Sequence, residues 1–110
     1  HSLHYGSTVF EGERVYRGKI FKLREHTERL HASAKLVGYS LPYTSDEIDA
    51  ACRLVVAENQ IDAGYVRPLA WRGSEVIGVS GIGAKIHVGI AAFLWGAYYG
   101  DDAQRNGIKL

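Results

Sequence analysis

Arginines set among aromatics and glycines are the residues of this 110-residue chain best suited to chemistry. Arg67 interrupts an otherwise apolar run, Tyr65-Val66-Arg67-Pro68-Leu69-Ala70-Trp71. An arginine there either has an anionic partner or faces solvent on an edge strand. Its planar guanidinium can hold a carboxylate or a phosphate through two parallel hydrogen bonds. Arg29 lies in a stretch that also carries Arg24, Glu25, Glu28 and Lys35. By spacing alone it reads as part of a solvated helix face, with Glu25 as its i,i+4 partner. Aromatics sit beside glycine three times, at Tyr5-Gly6, at Phe10-Glu11-Gly12 and at Trp95-Gly96-Ala97-Tyr98-Tyr99-Gly100. Glycine admits close backbone approach and aromatic rings give flat apolar walls, which suits a small-molecule pocket as well as it suits core and turns.

Other chemistries fit less well. His1, His4, His26, His31 and His87 show no metalloprotease spacing, and Glu25-His26 lacks a second histidine four positions away. His26 and His31 are five apart and fall on different helix faces. The single cysteine, Cys52, cannot build a zinc site alone, and its place in an apolar stripe reads as a buried, inert thiol. No metal site is expected. The run Gly78-Val79-Ser80-Gly81-Ile82-Gly83-Ala84-Lys85 approaches a phosphate loop, but Ala84 holds the lysine's place and no Ser or Thr follows Lys85. It reads as a connection between strands whose Val76, Ile77 and Val79 need a partner to cover them.

The elements that must position these residues follow from periodicity. Thr8-Val9-Phe10 is a short strand. Glu13-Arg14-Val15-Tyr16 and Lys19-Ile20-Phe21-Lys22-Leu23 flank Arg17-Gly18 as a hairpin. Leu23, Thr27, Leu30, Ala34 and Val37 predict a helix over 24–37, capped by Gly38. Thr44-Ser45-Asp46-Glu47 has the capping-box form, and Ile48, Ala51, Cys52, Val55 and Val56 make the stripe of a second helix that packs on the first. Residues 65–72 predict a strand in which Pro68 marks an edge or an irregular spot. Residues 86–94 predict a strand buried on both faces, a polar turn follows residue 100, and 107–110 read as the start of another strand. The expected fold is one α+β domain over 1–110, an antiparallel sheet with two helices on one face.

The 13 Lys+Arg against 12 Asp+Glu exclude a basic nucleic-acid footprint. No apolar run is long enough for a membrane span, and no signal peptide is visible in the sequence, whose opening on His1 is not expected to be the true start. A single cysteine favours a reducing compartment, hence a cytoplasmic location.

Four ordered blocks resemble a known family. His4-Tyr5-Gly6-x-x-Val9-Phe10-Glu11-Gly12-x-Arg14 resembles the opening motif of branched-chain aminotransferases, which belong to the fold-type IV pyridoxal-phosphate enzymes. Glu25-His26-x-x-Arg29-Leu30-x-x-Ser33-Ala34 looks like that group's phosphate-arginine helix. Tyr65-Val66-Arg67-Pro68-Leu69 and Ala92-Phe93-Leu94-Trp95-Gly96-Ala97-Tyr98 are similar to two further blocks. The resemblance implies the small domain of a two-domain enzyme that moves an amino group between leucine, isoleucine or valine and 2-oxoglutarate. Arg29 would hold the phosphate of pyridoxal 5'-phosphate, against the reading from spacing alone. Phe10, Gly12, Trp95 and Tyr98 would line the pocket for the branched side chain. Arg67 would take the distal carboxylate of glutamate, and Arg14 would act in the pocket or support it. Tyr5 and the loop around Val79 would reach the neighbouring subunit's site in a homodimer or higher homo-oligomer. The Schiff-base lysine and the glutamate facing the pyridine nitrogen would lie beyond Leu110, and a strand pair upstream of His1. The 110 residues alone are therefore expected to be inactive. D-amino acid aminotransferase is the close alternative, because Arg14-Val15-Tyr16-x-Gly18-Lys19-x-Phe21 fits that branch too. A non-enzymatic α+β binding module is the alternative from another class.

Overall fold

Alternation between the two sides of one long strand organises the molecule. The computed structural model describes residues 1–96 and 99–109. In chain order its elements are α1 (Ser2–Tyr5), β1 (Thr8–Phe10), β2 (Glu13–Tyr16), β3 (Lys19–Ile20), α2 (Leu23–Leu36), α3 (Ser45–Glu58), β4 (Ala63–Arg72), β5 (Ile86–Phe93) and α4 (Gly100–Asn106). The strands form one antiparallel sheet. β1 and β2 pair in succession along one edge of β4, with Phe10 opposite Leu69 and Glu13 opposite Val66. β5 pairs along the other edge, and β3 pairs antiparallel with β2 on the side away from β4.

Along β4, Gly64, Val66, Pro68 and Ala70 are buried, while Tyr65, Arg67, Leu69 and Trp71 are only half-buried. The buried set faces α2 and α3. Val15, Leu23, Ile48, Cys52, Val56, Ile61 and Val66 make the main core, and Ala34, Tyr39 and Ala70 a second cluster. The two helices therefore cover one face, as the periodicity requires, and the odd-numbered β4 residues are left on the other.

Local chemistry explains most boundaries. Arg17 and Gly18 both take positive φ, 51° and 68°, which closes a two-residue hairpin. The hairpin's second arm is shorter than expected: Lys22 turns left-handed at φ 56° and α2 begins at Leu23. Gly38, at φ 84°, follows the Val37 cap of α2. At α3 the capping box forms, with Glu47 N–H donating to Thr44 Oγ1 and Thr44 N–H donating to the Glu47 carboxylate. Ile48, Cys52 and Val56 of its stripe are buried, and burial pushes the Cys52 thiol up to about 12.

Four expectations need correction. Of the two alternatives for Pro68, the edge does not hold and the irregular spot does: it lies in the central strand, at the break between the stretches paired with β1 and β2. Its C=O accepts the Glu11 N–H at 2.9 Å. A strand residue aims N–H and C=O to the same side, so the missing donor faces the Glu11–Gly12 crossing between β1 and β2, where no ladder bond is needed. Next, β5 is not buried on both faces. It pairs only with β4 among the described residues and is at most half-buried. The turn expected after Gly100 is the helix α4, whose Asp101 and Asp102 suit a helix N-terminus. Finally, Gly107, Ile108 and Lys109 form no strand, and Leu110 lies outside the described residues. The short α1 has no counterpart in the periodicity. No helix among the described residues is long and apolar enough to cross a membrane.

Candidate active site

The face of the sheet away from the helices gathers what the sequence kept apart. Phe10 from β1, Arg14 from β2, Tyr65 and Arg67 from β4 and Phe93 from β5 all project from it, because alternate strand residues share a side. The Arg67 guanidinium stands 4.6 Å from the Phe10 ring centroid and 5.3 Å from that of Tyr65. Its Nη2 donates to Tyr65 Oη at 2.9 Å, while its Nε is buried without a hydrogen-bond partner. No ion pair among the described residues includes Arg67. A cation held between rings, with a donor unused, is built to receive an anion.

Aromatic walls surround it. The Tyr65 ring meets Trp95 at 4.8 Å, edge to face, and Phe93 at 5.5 Å; Phe93 and Trp95 stack at 5.4 Å. Gly12 makes the crossing possible, since a Cβ there would stand 2.1 Å from Tyr65 Oη. Arg14 Nη1 donates to the carbonyls of Trp95, at 3.0 Å, and Gly96, at 3.4 Å, so it both borders the site and fixes the segment that carries Trp95. A cleft of about 180 Å3 lies between Arg14, Tyr65, Arg67, Trp95 and Gly96. Five expected residues, Phe10, Gly12, Arg14, Arg67 and Trp95, thus converge. Tyr98 lies outside the described residues.

Arg29 does not line that cleft. It sits on α2, where its Nε and Nη2 donate to the two oxygens of Glu11 at 2.7 and 2.5 Å. His26 Nδ1 lies 2.8 Å from the same carboxylate. Burial drives the Glu11 carboxyl upward, but hydrogen bonds from Arg29 and His26, and their charges, bring it below the usual range. The i,i+4 pair expected with Glu25 does not form, because Lys22 takes that carboxylate at 2.7 Å. Arg29 remains 65% exposed and its Nη1 makes no hydrogen bond among the described residues. A guanidinium braced on one edge and open on another suits a phosphate.

Tyr5 and Val79 come together at the far end of β4, where Thr8 pairs with Trp71. The His1 ring bridges them, 4.8 Å from the Tyr5 ring and with Nε2 donating to Val79 C=O at 3.0 Å. Neither lines the Arg67 cleft. Leu3, Ile77, Val79 and Ile82 are strongly exposed apolar residues, while Val76 of the same loop is half-buried, so the described residues cover this loop only in part.

Two residues of the site region carry no signal that spacing alone would single out. Tyr65 reads simply as a strand residue, although it shares its strand side with Arg67 at i,i+2. Glu13 shares its side with Val15 and is buried among the helices. Burial, with the charges of Glu11 and Asp49, pushes its carboxyl up to about 8.

Residues 8–109 match the family model for amino-transferase class IV. The chain belongs to the class IV aminotransferases. It is 47% identical over 114 residues to a branched-chain-amino-acid aminotransferase of Pseudomonas aeruginosa, covering 100% of this chain and 37% of that protein. The crystal structure of an Escherichia coli branched-chain amino acid aminotransferase superposes at TM-score 0.80 and 42% identity, over 94% of this chain and 36% of that one. A branched-chain amino acid aminotransferase of T.th., solved with pyridoxamine 5'-phosphate, superposes at TM-score 0.85 and 41% identity, over 94% and 35% of the two chains. The chain thus spans little more than a third of its relatives' length, and within this class IV aminotransferase it carries the small, sheet-and-helix part.

Proposed function

We propose that this chain is the small-domain part of a pyridoxal-phosphate transaminase that exchanges amino groups between branched-chain L-amino acids and 2-oxoglutarate in branched-chain amino-acid biosynthesis. Arg67 carries the proposal. A guanidinium with a buried, unused Nε, pressed between Phe10 and Tyr65 beside an aromatic cleft, suits a substrate that alternates between an apolar side chain and a second carboxylate. Glutamate places its distal carboxylate on Arg67, and leucine, isoleucine or valine places its side chain against Phe10, Gly12, Trp95 and Tyr98. Arg14 supports this wall through its bonds to Trp95 and Gly96.

Arg29 holds the cofactor phosphate, and its open Nη1 edge supports that role. Pyridoxal phosphate, when bound, supplies the electron sink that lets an amino acid lose its α-hydrogen. The lysine that moves this proton is supplied from outside these 110 residues, so the chain alone has no transaminase activity. Tyr5 and Val79, exposed together at one end of the sheet, serve the neighbouring subunit's pocket in a homodimer or higher oligomer. One cysteine kept as a thiol accords with the cytoplasm.

The test is a steady-state assay of the full-length protein with 2-oxoglutarate as acceptor. L-Leucine is expected to outrun D-alanine as donor by orders of magnitude; preference for D-alanine would overturn the assignment in favour of a D-amino acid aminotransferase. A parallel titration of Arg29→Gln with pyridoxal phosphate, read by absorbance, is expected to show weakened cofactor binding.

A further inference from the structure

The loop joining β4 to β5 is closed at its base by a pair of side chains that the proposed function does not use. Glu75 Oε1 lies 2.6 Å from His87 Nε2, and Oε2 accepts the Lys85 N–H at 3.1 Å. Alongside, the Gly73 N–H donates to Lys85 C=O at 2.8 Å. Gly73 provides the room. A Cβ there would stand 2.3 Å from Glu75 Oε2 and 2.4 Å from His87 Nε2, so a side chain at this position would expel the pair.

His87 is braced as well. Its ring stacks on that of Trp71, its cross-strand neighbour, at 5.5 Å and 21°. Gly89 lets the indole lie flat, since a Cβ there would meet it at 3.3 Å. Hydrogen bonds from His87 and from backbone amides pull the Glu75 carboxyl down to about 2, so it is an anion throughout the physiological range. The braced ring, the carboxylate with its Lys85 N–H bond, and the Gly73–Lys85 backbone bond tie both ends of the loop to the β4–β5 ladder.

The loop needs such a tie. Its distal part contains Gly78, Gly81 and Gly83, the last two at φ 63° and 87°, and is held by short turns, Gly81 N–H to Gly78 C=O and Ala84 N–H to Gly81 C=O, and from outside the loop by the His1 Nε2 bond to Val79 C=O. Glycine-rich backbone of this kind keeps many conformations open unless its base is fixed. Yet its tip presents Ile77, Val79 and Ile82 at 90%, 75% and 84% exposure. We propose that Glu75 and His87 form a clasp that fixes the projection of this apolar tip and so tunes acceptance of the branched substrate side chain. They are positioning residues, and the inference rests on the proposed role of Val79 in the neighbouring subunit's pocket.

The experiment compares Glu75→Ala, His87→Phe and Val79→Ala in the full-length holoenzyme. His87→Phe keeps a ring on Trp71 and removes only the bond to Glu75. Two quantities are read: amide hydrogen exchange across residues 74–85, and KM and kcat for L-leucine. Both clasp variants are expected to exchange much faster in this segment and to raise KM several-fold with kcat unchanged, the signature of lost positioning in binding. Unchanged exchange overturns the clasp. Faster exchange with unchanged KM, while Val79→Ala raises KM, overturns its role in substrate acceptance. If none of the three moves KM, the inference falls together with the Val79 assignment, while the L-leucine assay of the unaltered enzyme still judges the transaminase reading separately.

Discussion

The two faces of the sheet each contain an ionisable group with a buried polar atom left without a hydrogen-bond partner, and the two cases mean different things. On the helix side Glu13 is fully buried, and neither of its oxygens has a partner. On the open side the Nε of Arg67 is buried and equally without a partner. The distinction is access. α2 and α3 close over Glu13, with the acids Glu11 and Asp49 nearby, and no cation among the described residues pairs with it. Arg67 borders a cleft of about 180 Å3 with Arg14 on its rim. The overall charge of +1 hides this contrast: behind the sheet Arg29 pairs with Glu11 and Arg24 with Asp49, leaving Glu13 unpaired among the described residues, while Arg14 and Arg67 stand in front. An unpartnered group in a sealed layer changes its protonation; one beside a cleft waits for a ligand.

The largest effect should come from the sealed side. The Glu13 carboxyl is pushed from 4.5 to about 8 by burial and by the neighbouring charges of Glu11 and Asp49. Between those values the folded protein keeps a proton that the unfolded chain has released. Stability from this group is therefore complete below pH 4.5 and is lost as pH climbs towards about 8. At neutral pH the loss is about 3 kcal/mol, at ~1.4 kcal/mol per pKa unit. Glu13→Leu fills the same space without the titration. Denaturant unfolding of the full-length protein should show the variant more stable at neutral pH and with a flatter pH profile. A variant with the parent's slope would mean that Glu13 is already ionised and accommodated.

Arg67→Gln tests the open side. Removing a charged hydrogen bond to a dicarboxylate costs about 2 kcal/mol, so kcat/KM for 2-oxoglutarate should fall by ~30-fold. The value for 4-methyl-2-oxopentanoate, which has no distal carboxylate, should change little, and so should the melting temperature. Equal losses with both acceptors would remove the carboxylate role. Set beside Glu13→Leu, this variant separates a substrate effect without a stability effect from the reverse.

How much of this could be read from the chain depends on which interactions are local. Both main helices were legible because their signals are written within a turn or two: Thr44 and Glu47 for one start, Gly38 for one stop. The Arg17-Gly18 hairpin was legible for the same reason. Pro68 left an edge and an irregular spot both open because a proline's place in a sheet depends on what runs alongside, here the Glu11–Gly12 crossing far away in sequence. Residues 86–93 misled because an apolar run records that burial is needed and not how many neighbours supply it. α4 was hidden by Gly100, Asp101 and Asp102, residues that favour a turn as much as a helix start. Within the site, Arg67 stood out by breaking an apolar run. Tyr65 did not, since a tyrosine beside valine reads as strand, and only the packing against Gly12 and Trp95 shows what it does. Nor did spacing favour Arg29 as anything beyond a helix face. Its partner, Glu11, is 18 positions away on another segment.

The smallest predicted effect asks whether the two faces are independent. Thr44→Ala removes the side chain that caps α3 and leaves the first turn's N–H groups to water. The expected cost is about 1 kcal/mol. α3 supplies Ile48, Cys52 and Val56 to the sealed core but no residue to the Arg67 cleft. Thermal unfolding should therefore shift down by a few degrees, while kcat/KM for L-leucine and for 2-oxoglutarate stays at the parent value. If activity falls in step with stability, the order of the cleft depends on the helix layer behind it. β4 would be the route, since Val66 packs against the α3 stripe and its neighbours Tyr65 and Arg67 form the floor of the cleft.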